Sequence, residues 1–197
     1  MPKIVDERAR KELIAEAVWA VATEEGLPAA TMRAVAARCG LSVGAIQHSF
    51  PSQAGLQRFA MELIVERVTA RIACAAQAES GDSLEAVARL LEQLLPLDGE
   101  RMTEARVWSM FSTMALTDES LRAYAEEMQR TMEGFCRDCL AHLVAAGSIG
   151  KGADLLREAS ALQALLDGLT LHLLLDPGRS QSRDAVEALR SFLTRLQ

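Results

Sequence analysis

Apolar residues recur along most of this chain at intervals of three and four positions. Leu84, Val87, Leu91 and Leu94 show this spacing clearly, and it is the spacing of one buried face of an amphipathic helix. No segment shows the alternation of apolar and polar residues that is typical of a half-buried strand. Clusters of glycine and proline interrupt the pattern and predict helix ends. The chain is therefore predicted to be all-α, with about nine helices over residues 7–25, 31–38, 42–48, 52–79, 83–95, 101–116, 118–146, 152–175 and 182–196.

The helices group into two predicted domains, residues 1–51 with three helices and residues 52–197 with the rest. A chain of 197 residues is long enough to bury a substantial core in this arrangement. No flexible linker separates the two parts, so the helix over 52–79 is expected to join them directly.

Two short helices on either side of a tight turn are the most informative local feature. Thr31 and Ser42 are suitable N-caps, because each side-chain oxygen can accept an otherwise unpaired backbone N–H. Gly40 supplies the left-handed backbone conformation that a short turn between crossed helices needs. The second helix has Ile46 as its clearest apolar anchor and a small, polar outward face, as expected of a helix that enters the major groove of DNA. On spacing alone, an ordinary helical corner remains an equal alternative.

Residues 8–58 resemble the DNA-binding domain of the TetR/AcrR family of bacterial transcriptional regulators. The resemblance rests on four motifs in the family's order and spacing: Glu25-Gly26, Thr31-Met32-Arg33-Ala34-Val35-Ala36, Gly40-Leu41-Ser42 and Phe50-Pro51-Ser52. It implies an N-terminal helix-turn-helix domain that binds double-stranded DNA, and a larger helical domain for effector binding and dimerisation. The residues implied to hold the DNA backbone are Thr31, Arg33, Ser49 and Gln53, next to Ser42 at the helix start. Those implied to face base edges are Val43, Gly44, Ala45, Gln47 and His48.

Three positions depart from the family pattern. Gln47 stands where the family usually has Tyr, and Ser49 where it has an aromatic residue or His. Gln53 replaces the usual Lys, which removes one expected phosphate contact. We expect Gln47 to change which bases are read, since Gln can pair bidentately with adenine.

The charge distribution gives little electrostatic support for DNA binding. The net charge is −6, with +1 over residues 1–71 and −7 over residues 72–197, whereas phosphate binding favours a clearly basic face. The DNA-binding prediction therefore rests on the motifs. Half of the residues are apolar, which argues against disorder, but no run approaches the ~20 apolar residues of a membrane helix. The N-terminus shows no secretory signal, so a cytoplasmic protein without a membrane partner is expected.

The predicted helix over 152–175 carries more leucine than one buried face requires, which indicates contacts on more than one side. The final helix carries a single apolar stripe. In the family resemblance, two such helices from each subunit form a four-helix bundle. A homodimer would place two recognition helices ~34–36 Å apart on a pseudo-palindromic operator. The alternative is that these leucines fill the core of one monomer. The predicted dimer contacts are Leu162, Leu166, Leu169, Leu173, Val186, Leu189 and Leu193.

A small-molecule effector of unknown identity is implied for the second domain, whose helices surround a ligand cavity in this family. Methionine and aromatic side chains suit an adaptable apolar pocket, although each is individually more typical of plain core. The C-terminal half also resembles the branch that includes the repressor of choline-to-betaine genes, at Leu121-Arg122-Ala123-Tyr124, Leu166-Asp167-Gly168-Leu169 and Asp176-Pro177. Aromatic residues are scarce, and this argues against the cage that choline requires. The candidate ligand residues are Met102, Trp108, Phe111, Met114, Met128, Met132, Phe135 and His172.

Other chemistry finds little support in the sequence. Cys136 and Cys139, with His142 one turn on, do not complete a four-ligand metal set, and neither a cofactor nor a metal is predicted. There is no phosphate-binding glycine loop, metalloprotease histidine pair or nucleophile elbow. The predicted function is a DNA-binding regulator, most simply a homodimeric repressor released by an effector. Two alternatives stay open: a helical ligand- or protein-binding module that does not read DNA, and a small all-helical enzyme.

Overall fold

The computed structural model describes residues 7–78, 83–150 and 154–197. In these ranges it contains nine α-helices, one short 3-10 turn at Leu27–Ala29 and no strand, which confirms the all-α prediction. The helices are α1 (Glu7–Glu25), α2 (Met32–Cys39), α3 (Val43–Ser49), α4 (Gln53–Ala78), α5 (Leu84–Glu92), α6 (Gly99–Ala115), α7 (Glu119–Ala145), α8 (Leu155–Leu175) and α9 (Arg179–Thr194).

Most helix ends lie within two residues of the predicted ones. The predicted start of α8 at residue 152 lies outside the described residues, and two other ends differ by three residues. Helix α5 ends at Glu92 rather than at residue 95, and a turn leads into Pro96. The residue before a proline avoids the helical region, so the approach to Pro96 favours this early stop. Helix α9 begins at Arg179, three residues earlier than predicted, directly after Pro177 and Gly178.

The chain divides into two compact units that do not coincide with the predicted domains. One unit comprises residues up to Arg67 together with Arg106–Tyr124, and the other comprises Val68–Ala105 and Ala125–Gln197. The boundaries between the units fall inside helices: after Arg67 in α4, after Ala105 in α6 and after Tyr124 in α7. The predicted division into a DNA-binding domain up to residue 51 and an effector-binding domain from residue 52 concerns function, and it stays a prediction. The first compact unit extends beyond α3, since it also includes the chain up to Arg67 and residues Arg106–Tyr124.

The first unit is built around α1. Ile14 and Val18 of this helix are fully buried, as are Val35 of α2 and Ile46 of α3. Trp19 is 5% exposed, and its indole N–H donates a hydrogen bond to the carbonyl of Ala60 at 3.0 Å. This bond joins α1 to α4 and leaves the polar end of the tryptophan satisfied inside the core.

The second unit has a core made from α5, α7, α8 and α9, and it absorbs most of the predicted dimer contacts. Five of these leucines are at most 4% exposed within a single chain, and Leu169 packs against them. Their own unit already covers these side chains, so their part in a contact with a second copy stays a prediction. Val186 alone of the predicted set is neither buried nor placed in that cluster. The five leucines are Leu162, Leu166, Leu173, Leu189 and Leu193.

No helix within the described ranges is both long enough and apolar enough to cross a membrane.

Candidate nucleic-acid interface

Helices α2 and α3 form a helix-turn-helix whose ends are fixed by side-chain caps. The hydroxyl of Thr31 accepts a hydrogen bond from the backbone N–H of Ala34 at 3.2 Å, and that of Ser42 accepts one from Ala45 at 3.1 Å. Gly40 lies between the helices with φ of 70°, where a residue with a Cβ would be strained. Both caps and the turn glycine were predicted from the sequence.

Helix α3 is attached to the unit through few side chains. Ile46 is fully buried, and Phe50 just beyond the helix packs against Phe59 with ring centroids 5.1 Å apart. A seven-residue helix has little stability of its own, so these contacts hold α3 in place. Most of its remaining surface faces solvent.

The structure leaves most of the predicted DNA-contacting side chains accessible. Ala45 and Ser49 are half-buried, and Gln53 is also half-buried. The Thr31 and Ser42 hydroxyls accept backbone N–H groups, and each still carries an O–H that can donate to a phosphate oxygen. The exposed residues of the set are Thr31, Arg33, Ser42, Val43, Gly44, Gln47 and His48.

Gln53 has a structural role that sequence reasoning missed. Its side-chain carbonyl accepts a hydrogen bond from the backbone N–H of Met32 at 3.1 Å, and its amide donates to the carbonyl of Ala30 at 2.6 Å. The Met32 N–H is one of the unpaired donors at the start of α2. Gln53 therefore fixes the first turn of α2 to the first residue of α4, and a single amide hydrogen remains for a phosphate.

The basic side chains around this surface differ in their partners. Arg38 forms a two-pronged ion pair with Glu24, with one N–O distance of 2.7 Å, and the hydrogen bond from Arg38 lowers the pKa of Glu24. Arg33 is exposed and forms no ion pair with any residue that the structure describes. Arg33 is therefore the cation of α2 whose charge is available to a phosphate.

The first turn of α1 also lies within electrostatic range of α3. The pKa of Glu7 is lowered mainly by its hydrogen bond with Lys11, and more weakly by the charges of His48 and Arg10. Arg10 and Lys11 thus belong to the electrostatic surroundings of the interface. No sequence motif marked them, since their proximity to α3 arises only from the packing of α1.

The first unit also holds a group of aromatic side chains from the candidate effector set. Trp108 stacks on Phe111 with centroids 6.3 Å apart, and Phe111 meets Tyr124 edge-on at 5.7 Å. Phe111 is fully buried, and Met114 is half-buried about one turn of α6 after Phe111. The structure therefore brings two predicted ligand residues together and adds Tyr124, which sequence reasoning used only as part of a branch motif.

The remaining candidate ligand residues belong to the second unit. Met102 and Met128 are half-buried there, and Met132 and Phe135 pack against its core. His172 is exposed on α8. A role for this exposed ring in ligand binding stays a prediction.

Cys136 and Cys139 are buried thiols in the second unit. Burial raises the pKa of each to about 12, with smaller contributions from nearby negative charge. A thiol with such a pKa is almost entirely protonated at neutral pH and is a poor nucleophile or metal ligand. His142, one turn further on, is exposed.

One unit thus carries a helix-turn-helix, and the other has a helical core. Comparison with known proteins places the chain in a family. Residues 14–60 match the family model for bacterial regulatory proteins of the tetR family. Residues 83–197 match the model for the C-terminal part of the BetI-type transcriptional repressor. The chain therefore belongs to the TetR family of bacterial transcriptional regulators, with a BetI-type C-terminal part, and it is a DNA-binding transcriptional regulator. Both the family and the branch were identified from the sequence motifs.

Individual relatives agree with this assignment over nearly the whole chain. The HTH-type transcriptional regulator PksA of Bacillus subtilis (strain 168) is 36% identical over 179 residues, which cover 91% of this chain and 85% of PksA. The crystal structure of a transcriptional regulator from Rhodococcus sp. Rha1 is 32% identical, with a TM-score of 0.80 over 94% of this chain and 95% of that one. A regulator from Saccharomonospora viridis in complex with choline shares the fold at 22% identity, with a TM-score of 0.77 over 94% and 96% of the two chains.

Proposed function

We propose that this regulator is a homodimeric repressor that reads a pseudo-palindromic operator with α3 and is released by a small-molecule effector. The observation that carries the proposal is α3 itself. One buried isoleucine anchors the helix, and its exposed face consists of Val43, Gly44, Gln47 and His48. Such a face adds little to the stability of the monomer, and its size and polarity suit the major groove.

Within that face, Gln47 would read bases and Gly44 would allow a close approach of the backbone. A Cβ added at Gly44 would meet only the Ser42 hydroxyl, at an ordinary distance of 3.9 Å. The fold itself therefore tolerates a side chain at this position, which leaves an external contact as a reason for glycine. Val43 would pack on a thymine methyl, while Ala45 and His48 would complete the contact with base edges.

The DNA backbone would be held by residues at the helix starts. Arg33 has an uncommitted charge, and Thr31 and Ser42 have hydroxyl donors at the N-termini of α2 and α3. Ser49 and the remaining amide hydrogen of Gln53 would add weaker polar contacts. These residues position the protein, and they carry no sequence information by themselves.

For the dimer contact we propose the outward face of α8 in place of the buried leucines. Leu156, Leu171 and Leu175 are 64%, 53% and 76% exposed, and they share one side of the helix with Ser160 and Ala164. The exposed Asp167 also lies on this face, between Ala164 and Leu171. Three large exposed apolar side chains on one face still suit packing against a second copy. Val186 of α9, which is half-buried, would lie at the edge of this contact.

The effector would bind the aromatic group of the first unit and favour a dimer in which the two α3 helices no longer match the groove spacing. It must bind the released form more tightly than the DNA-bound form, because a ligand without such a preference shifts no equilibrium. A regulator that acts on chromosomal DNA in this way would be cytoplasmic.

Selection of the purified protein on a pool of randomised duplexes tests the proposal. We expect a palindromic winner with half-sites about one helical turn apart, bound with an affinity that falls steeply with salt. Absence of an enriched site together with salt-independent binding would contradict DNA reading. An enriched site without symmetry, bound by one chain per duplex, would contradict the dimer and leave the reading of bases intact.

A further inference from the structure

The exposed face of α8 carries an acidic residue near its middle. Asp167 lies on this face between Ala164 and Leu171, and the exposed side chains of Leu156 and Leu175 lie near its two ends. A charged group in a contact surface is costly, because it loses water on assembly unless a partner of opposite charge replaces that water. The carboxylate at the centre of the proposed dimer contact therefore requires an explanation.

The carboxyl of Asp167 is partly shielded from water within a single chain. Its negative charge contributes to the raised pKa of the Cys136 thiol on α7, so the two groups lie within electrostatic range of each other. Gln163, one turn earlier on α8, forms a hydrogen bond with Gln129 of α7, which places α7 along this side of α8. Partial burial raises the pKa of Asp167 above its ordinary value.

The helices that pack against α8 supply no cation to Asp167, which forms no ion pair with any residue that the structure describes. From α7, the ionisable groups in this region are the Cys136 thiol, which stays protonated at neutral pH, and the negative Glu133. From α9, Arg195 pairs with Glu158. Glu158 lies about 180° around α8 from Asp167, on the opposite side of the helix.

The basic residues of α8 itself are Arg157 and His172, and both are exposed. Arg157 lies about 15 Å from Asp167 along the helix axis. His172 lies about 7 Å along the axis and about 140° around the helix. Neither side chain is therefore placed to neutralise the carboxylate.

A two-fold dimer through this face would bring two copies of Asp167 together, because such a dimer uses the same patch of both subunits. In an antiparallel pairing about the middle of the face, Asp167 lies opposite Ala164 of the second copy. The two carboxyl groups are then about 4.5 Å apart along the axis. In a parallel pairing the two aspartates lie directly opposite each other. Both orientations bring like charges together in a surface that excludes water.

We propose that Asp167 links dimerisation of this regulator to protons, so that the dimer is tighter at acidic pH, where both carboxyl groups are neutral. The inference rests on the proposed dimer and names how that contact is regulated. Pairing raises the pKa of both carboxyl groups further, since burial and a like charge each disfavour the ionised form. The dimer therefore binds more protons than two separate chains. Association weakens as the pH rises from the pKa of the separate chain through that of the dimer.

Sedimentation equilibrium of the full-length protein at about pH 5.5 and about pH 8 tests the inference. We expect the dissociation constant of the wild-type dimer to be at least about tenfold lower at the acidic pH. Asp167→Asn keeps the size of the side chain and removes its charge. This variant should lose most of the pH dependence and dimerise at the higher pH at least about tenfold more tightly than the wild type. A wild-type dissociation constant that does not change with pH, or a variant that keeps the full dependence, overturns the proposal.

Two control variants separate Asp167 from other sources of pH dependence. Asp138→Asn removes an equal charge from α7, where the side chain is 78% exposed, and should keep the wild-type dependence. His172→Gln should keep it as well. Histidine is the side chain that ordinarily changes charge in this pH range, but its protonation adds positive charge to both copies. Loss of the dependence in either control would assign it to net charge or to the histidine, and would overturn the role of Asp167.

The outcomes also separate this inference from the proposed dimer. A protein that is monomeric at both pH values, with and without Asp167→Asn, would remove the dimer proposal and the inference together. A dimer that dissociates on Leu171→Glu but has the same dissociation constant at both pH values would leave the contact standing. That result would remove only the role of Asp167.

Discussion

The side-chain amide of Gln53 donates a hydrogen bond to the backbone carbonyl of Ala30 at 2.6 Å, and this contact ties the start of α4 to the residue before the Thr31 cap. The same side chain accepts the N–H of Met32. Gln53, which the family motif assigns to DNA contact, therefore also fixes the position of α2 through these two hydrogen bonds.

Replacing Gln53 separates these two roles. Gln53→Ala leaves the Met32 N–H and the Ala30 carbonyl without their partner, and should lower the free energy of unfolding by about 1–3 kcal/mol. Gln53→Lys restores the family's usual cation and should steepen the dependence of operator affinity on salt by about one unit of logarithmic slope. Chemical denaturation and salt titration measure the two effects. An unchanged free energy of unfolding in Gln53→Ala would show that the two hydrogen bonds do not stabilise the fold.

Gln47 should govern which sequence is bound rather than whether DNA is bound. Gln47→Ala removes an exposed amide that makes no hydrogen bond to a described residue, so we expect selection on randomised duplexes to lose preference at one base pair of each half-site. Affinity for the best operator should fall by about 1–3 kcal/mol, while binding to unrelated duplex changes much less.

Arg33→Ala is the matched comparison for this change. Arg33→Ala should weaken binding by the same factor for every DNA sequence. It should also reduce the slope of logarithmic affinity against logarithmic salt concentration by about one. Identical profiles for the two variants would contradict the division between base reading at Gln47 and phosphate contact at Arg33.

The dimer contact can be tested with two leucines of the same helix. Leu171 is 53% exposed on α8, whereas Leu162 is fully buried. Leu171→Glu places a charge on the proposed contact face, and should shift the protein to monomers in analytical ultracentrifugation with little change in the monomer's helical content. Leu162→Ala should instead cost about 2–5 kcal/mol of folding stability and leave the assembly state of the folded protein unchanged. The reverse pattern would return the dimer contact to the buried leucines.

The sequence was sufficient to predict the helices and the helix-turn-helix, because local physical chemistry determines both. The Thr31 and Ser42 caps and the left-handed turn at Gly40 each act within four residues, so their spacing can be read directly. The position of Ile46 as the anchor of α3 follows from the same local pattern.

The same reasoning cannot decide questions in which the partner of a side chain is remote in sequence. The spacing of Leu162 and Leu189 predicts burial, but it cannot say whether the covering surface belongs to the same chain or to a second copy. The burial of Gln57, which is 6% exposed, could have been predicted, since this residue shares a helical face with Ala60 and Ile64 on α4. The sequence carries no such signal for the buried hydroxyl of Ser112, which has no hydrogen-bond partner, because a serine within a helix commonly bonds to its own backbone.

The four cysteines should differ in reactivity in a way that follows their burial. Cys74 is exposed, and Cys136 and Cys139 are buried with pKa values raised to about 12. Because only the thiolate reacts with iodoacetamide, native protein at neutral pH should be labelled first at Cys74. The buried pair should react only at a pH that approaches 12 or after unfolding. Mass spectrometry of timed samples checks the order, and early labelling of Cys136 would revive a sensing role for this pair.

The ion pair between Arg71 of α4 and Glu104 of α6 should contribute far more than any other ion pair of the second unit. Its N–O distance is 2.8 Å, and the two side chains are 23% and 5% exposed. Arg71→Met leaves the Glu104 carboxylate buried without its cation, and also removes the hydrogen bond from Arg71 to the carbonyl of Gln93. We expect the free energy of unfolding to fall by about 3–5 kcal/mol, as for other broken buried pairs.

Arg190 provides the control for this variant. It pairs with Glu85 at 2.9 Å and with Glu92 at 3.0 Å, but its side chain is 41% exposed. Solvent screens such pairs, so Arg190→Met should cost no more than about 1 kcal/mol. In a double-mutant cycle, Arg71→Met with Glu104→Met should destabilise by less than the sum of the two single changes, since the double variant leaves no unpaired charge in the core. Additive single effects would mean that the two side chains act separately and that Arg71 stabilises α5 through Gln93 alone.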